Sequence, residues 1–141
     1  MVRRKRLPEE LVPALEAFHQ VLDEIEPAKA GLTDVVPGSR LPGRPLDDAL
    51  TEFTARCERA TDLMPGWRRP ELEQVWSPCA DGLVAARRDA TEILEDGSEP
   101  SGFGELLAIV ERILERLEPF AAAEARFSEL RRRPTEGESG A

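Results

Sequence analysis

Apolar residues near the start of the chain fall at Leu7, Leu11, Ala14, Leu15, Phe18, Val21, Leu22, Ile25, Ala28 and Leu32. Steps of three and four residues line one side of a helix, so the pattern predicts a first helix over about residues 8–34. Pro8 and Pro13 stand at or near its first turn, where a missing N–H matters least, but Pro27 is interior and is expected to kink or break it. The stretch VVPGSRLPGRP, Val35 to Pro45, is a loop by its prolines and glycines. A second stripe follows through Leu46, Leu50, Phe53, Cys57, Ala60, Leu63 and Met64, with Asp47 and Asp48 suited to the positive end of its helix, and it stops at Pro65-Gly66.

The third stripe begins near Pro70 and runs through Leu72, Val75, Trp76, Cys79, Leu83, Ala86, Ala90, Ile93 and Leu94, with Pro78 placed to bend it. After the connection EDGSEPSG, Glu95 to Gly102, a fourth helix is expected from about Phe103 to Arg132. Its apolar positions, Phe103, Leu106, Leu107, Val110, Ile113, Leu114, Leu117, Phe120, Ala121, Phe127 and Leu130, make the broadest stripe, which predicts the most buried helix, kinked at Pro119.

Four amphipathic segments without a strand pattern or a repeat predict an all-α four-helix bundle, most simply antiparallel and up-down-up-down because two connections are short. Residues 1–7 read as a basic N-terminal tail, 8–133 as the bundle and 134–141 as a disordered tail. Few aromatics and 33% charged residues suit helices rather than sheets. The net charge of -9 argues against a surface that is basic overall. MVRRKR resembles the start of a secretion signal, but LPEELVP follows where an apolar core should be. The longest uncharged run, QVWSPCA, is too short to span a membrane. The expectation is a soluble, cytoplasmic protein with no membrane contact.

Candidate chemistry is sparse. Glu16 and His19 have the Glu-x-x-His spacing of di-iron bundles, but His19 is the single histidine, so the motif has no second copy and no His-based zinc site can be assembled. Cys57 and Cys79 occupy stripe positions at matched distances from the intervening turn. They are expected to be buried and close together, as packing thiols rather than a redox pair. Glu111, Glu115 and Glu118 with Arg112 and Arg116 read as charge pairs on a solvated face. Glu124 is the clearest charge intruding on a stripe. Neither catalysis, a metal nor a cofactor is expected.

One stretch stands apart. MPGWRRP sets Trp67, Arg68 and Arg69 among turn residues in a chain with two tryptophans and no tyrosine. In an up-down-up-down bundle this turn shares a pole with both chain ends, which carry Arg3, Arg4, Lys5 and Arg6 at one terminus and Arg131, Arg132 and Arg133 at the other. Two roles fit Trp67: a plug over the end of the core, or the centre of a basic recognition surface formed by these residues, of a composition common at binding hot spots. The function expected is binding of a protein partner, or of a second copy, by a non-enzymatic bundle. Anion or nucleic-acid binding at the basic pole comes second, and a small-ligand carrier or enzyme with a cavity in the bundle third.

Overall fold

The computed structural model describes residues 6–36, 45–97 and 99–131. A 3₁₀ turn, Glu9–Leu11, leads into α1, Val12–Thr33; α2 is Leu46–Leu63; 3₁₀ turns at Met64–Trp67 and Pro70–Leu72 precede α3, Glu73–Asp96; α4 is Phe103–Glu115 and α5 Pro119–Leu130. The arrangement is all-α and four-helical, with the fourth helix in two pieces, and no strand occurs among the described residues. Most of the Val35–Pro45 loop, the basic segment Arg3 to Lys5, Arg132, Arg133 and the expected tail 134–141 lie outside the described residues.

The three interior prolines behave differently. α1 and α3 continue through Pro27 and Pro78 without interruption, so the break expected as one outcome at Pro27 does not occur. Both rings face solvent, and so do Asp23 and Gln74, the residues four positions back whose carbonyls lose their donor. Water can bond those carbonyls, which removes much of the cost of an interior proline. Pro119 does divide its helix. There the bonding shifts to a spacing of three, with the amides of Arg116, Leu117 and Glu118 donating to the carbonyls of Ile113, Leu114 and Glu115, and Pro119 then opens α5 at its first turn.

This break is fitted against α3. A Cβ on Gly82 would lie 2.2 Å from the Arg116 carbonyl oxygen and 3.9 Å from Pro119 Cγ. Only a glycine lets the α3 backbone approach the turned segment so closely. α3 itself ends on Gly97, whose φ of 68° is the left-handed conformation that closes helices, its N–H reaching the Ile93 carbonyl at 3.3 Å.

One core runs through the molecule, from Leu11, Phe18, Val21 and Ile25 of the first segment through Phe53 and Cys57 to Leu83, Ile113 and Phe127. Touching residues fall in number along α2 as they rise along α1: Phe18 meets Trp67, Glu24 meets Arg56 and Arg59, and Val35 and Leu46 share one hollow. The same reversal holds between α2 and α3, where Trp76 donates to the Met64 carbonyl and Arg87 pairs with Glu58.

The fourth helical segment departs from expectation. Its two pieces differ: α4 contributes only Val110 and Ile113 to the buried set, while Leu117 and the Phe120, Ala123, Phe127 and Leu130 of α5 bring the whole segment level with the first, where Leu11 precedes Ala14, Phe18, Val21, Ile25, Ala28 and Leu32 of α1. Phe103 is 54% exposed, and Leu106, Leu107, Ile109 and Leu114 are half-buried. The stripe is as broad as the sequence indicates, but the other helices do not cover all of it.

Candidate functional site

The pole around Met64 to Pro70 comes first because the sequence points there. Contacts bring the described parts of three remote segments together: the Arg69 guanidinium donates to the Glu10 carbonyl beside α1, and the Arg126 guanidinium of α5 donates to the Glu71 carbonyl at 3.2 Å. Arg6 and Arg131 are exposed. Trp67, however, is 0% exposed and is the largest fully buried side chain among the described residues. Its ring stands edge-on to Phe18 at 4.9 Å and lies 6.0 Å from Phe127, and its indole N–H donates to the Met64 sulfur at 3.2 Å. Gly66 lets this turn sit on α1, since a Cβ there would come within 2.7 Å of Ala17 Cβ.

Of the two roles that fit Trp67, its burial matches the plug over the core, and a recognition surface around this turn would lack Trp67 as its centre. The physical reason is the amphipathic indole, which here finds both an apolar cage and an acceptor for its N–H inside. The tryptophan that meets arginine is Trp76, expected only as a stripe residue. It is half-buried, donates to the Met64 carbonyl at 2.8 Å, and carries the Arg68 guanidinium 4.1 Å from its ring centroid. Arg68 also bonds Glu73 at 2.9 and 3.2 Å. Arg68, Arg69 and Arg126 thus act on the protein's own ring, carboxylate and carbonyls.

Charges sort the seams between helices. Across α1 and α2, Glu24 holds Arg59 at 2.8 Å and Arg56 at 3.7 Å; across α2 and α3, Glu58 pairs with Arg87. Between α3 and α4 the pairing goes inward. Asp89 is 3% exposed, the buried charged residue among those described, and it faces Arg116 at 3.0 Å and Arg112 at 3.6 Å, with Arg88 at 3.8 Å. Arg112 and Arg116 therefore leave the solvated charge pairs expected on helix 4. Glu124, expected to intrude on the core, is exposed. Asp89 lies three residues from Ala86 and is flanked by Ala90, so its stripe position was legible; its partners were not, because they belong to another helix.

The remaining seam, between α1 and the α4–α5 pair, is different. α1 meets α4 only sparingly, and Phe18 reaches Phe120 and Phe127 of α5 at ring distances of 6.3 and 4.9 Å. Between them runs a groove of about 920 Å³. Leu22, Leu114, Leu117 and Phe120 form its apolar lining, and Glu26, Glu111, Glu115, Glu118 and Glu124 with Lys29 its charged border. Lys29 is bound to Glu26 at 3.6 Å. Glu111, Glu115, Glu118 and Glu124 have no basic partner among the described residues, since the arginines interleaved with them turn to Asp89. A second hollow of about 510 Å³ adjoins the groove at Ala121 and Glu124 and extends it to Leu15, His19 and Arg131.

Among the described residues no three His, Cys, Asp or Glu side chains converge to hold a metal ion, and His19 is exposed beside the second hollow. Cys57 and Cys79 are free, buried thiols. Burial pushes both up to about 12 from an ordinary 9.0, with the Arg87 charge pulling Cys57 slightly back. Thiols so placed are inert packing groups. No helix among the described residues is long and apolar enough to cross a membrane. No protein-family model, curated protein or solved structure matches this chain.

Proposed function

We propose that this protein is a non-enzymatic helical module that binds another protein in the groove between α1 and the α4–α5 pair. The observation that carries this reading is the contrast between seams: the other three are bridged by opposite charges, whereas this one leaves apolar side chains, and glutamates with no basic partner among the described residues, facing a hollow. Half-buried Leu22 and Leu114 are apolar area that a partner would remove from water. A groove of this shape beside helices suits a helical segment better than a small molecule, because a guest helix seats its side chains at the same three-and-four spacing that lines it. The basic pole is not the site of this proposal, since its described arginines at Arg68 and Arg69 are engaged within the protein.

The test is site-directed photo-crosslinking in the native host. A photoreactive residue at Ala121, exposed on the groove, is expected to give an adduct that mass spectrometry maps to one defined segment of one partner. The same residue at exposed Val84 on α3 should give none. Equal adducts from both positions, or none from Ala121, would sink the proposal.

A further inference from the structure

We infer that the segment taken up by the α1/α4–α5 groove is a basic amphipathic helix of a partner protein, an inference that rests on the groove being the binding site. Its border carries five glutamates against Lys29, which pairs with Glu26 and leaves Glu111, Glu115, Glu118 and Glu124 in excess, while the adjoining hollow adds Arg131. The excess charge follows from the fold. α4 carries acids and arginines in alternation, and buried Asp89 draws Arg112 and Arg116 to the α3 side. Among the described residues, Glu111 and Glu115, together with Glu118 of the following turn, are left without a basic partner on the groove side.

Carboxylates crowded along the α4–α5 margin of an apolar channel repel one another, and an acidic or neutral guest would leave that repulsion in place. A guest with lysine or arginine facing that margin would relieve it, as arginines do at the protein's other seams. The channel and its adjoining hollow follow α1 from Leu15 to Lys29, about 21 Å of helix at 1.5 Å per residue. That length takes about four turns of a guest helix, with apolar anchors every three to four residues and basic residues between them.

The experiment uses the whole protein and a fluorescent helical peptide of leucine and lysine, about 15 residues long, with its leucines on one face. Two control peptides have the same composition in shuffled order, or glutamate in place of lysine. Anisotropy should show the leucine–lysine helix binding and neither control doing so at the same concentration. Binding should weaken as salt shortens the screening length from about 30 Å to about 8 Å. The double reversal Glu115→Lys with Glu118→Lys should lower affinity at least about tenfold. Glu92→Lys with Glu95→Lys makes the same change in net charge on an exposed part of α3 and should leave affinity within about twofold.

All four substituted sites are exposed, and circular dichroism with thermal melting checks that both double variants stay folded. Equal loss in the two variants would overturn the inference, because the peptide would then be sensing overall charge. Binding of the glutamate helix as well as the lysine helix would also overturn it. A concentration-dependent dimer that the Glu115 and Glu118 reversals dissociate would overturn it by assigning the groove to a second copy. The crosslinking test separates these failures from that of the broader reading, since an adduct at Ala121 mapped to a non-basic segment would leave the groove a binding site and remove only the basic helix.

Discussion

The α3–α4 seam and the α1–α4 groove lie on opposite sides of one helix and are built from the same kinds of residue. On the α3 side, Asp89 meets Arg112 of α4 and Arg116 just beyond it, and Gly82, whose missing side chain lets the backbones touch, receives the Arg116 carbonyl. On the α1 side the α4 glutamates have no basic partner among the described residues, and leucines stay half in water. Composition does not distinguish the two faces. What does is a single buried carboxylate, which withdraws the cations from one face to satisfy itself on the other. A helix can thus look evenly charge-paired in sequence and be strongly asymmetric once folded.

The largest effect that would test this contrast lies at the pole that ties α1, α3 and α5 together. Trp67→Ala, removing a fully buried indole, should cost about 3–5 kcal/mol in chemical denaturation. A cost near zero would mean that Trp67 is not the plug. Gly82→Ala is next: its methyl would sit 2.2 Å from the Arg116 carbonyl oxygen, and overpacking of this kind costs about 1–3 kcal/mol or more. Gly104→Ala, where a Cβ meets nothing within 4 Å, should instead stabilise by about 0.5–1 kcal/mol through helix propensity. Equal signs at the two glycines would contradict the close approach at Gly82.

Asp89→Ala should cost about 1–3 kcal/mol, since its arginines are partly exposed and can turn to water. Glu115→Ala, across the same helix, should change stability by no more than about 0.5 kcal/mol, with a slight gain from reduced repulsion the expected sign. If both cost the same, the asymmetry of α4 charge is not energetic.

Thiol reactivity gives the smallest signal. Cys57 and Cys79 should resist a maleimide at neutral pH until denaturant is added, while a cysteine placed at exposed Ala121 should react at once. Because burial raises both thiols to about 12 from 9.0, their contribution to stability is complete below about pH 9. It declines as pH rises toward 12, where the unfolded chain ionises first. Rapid native labelling of Cys57 or Cys79 would show that the core is open.

Much of the fold was legible because hydrophobic spacing reports which side of a helix meets the core. The second and third helices begin and end close to where their stripes and prolines place them, and the burial of Cys57 and Cys79 follows from their positions in those stripes. Spacing says nothing about whether a neighbour arrives to cover a stripe, which is why the first piece of the expected fourth helix, α4, looked more buried than it is while α5 is buried as its stripe indicates. Nor does it tell a turn tryptophan that points inward from one that points out, which is why both roles stood open for Trp67 until the fold placed it. Gly82 gave no signal at all, since one glycine within a helical pattern looks the same whether it faces solvent or another backbone.

The sequence by itself determined the helical class, the second and third helices and the residues suited to a core, because periodicity and proline act locally along the chain. Tertiary structure decided which charges pair, which face of α4 is left uncovered and where Trp67 lies. Those outcomes depend on residues remote in sequence competing for the same partner, as Asp89 does for Arg112 and Arg116, and such competition is resolved only when the helices are brought together.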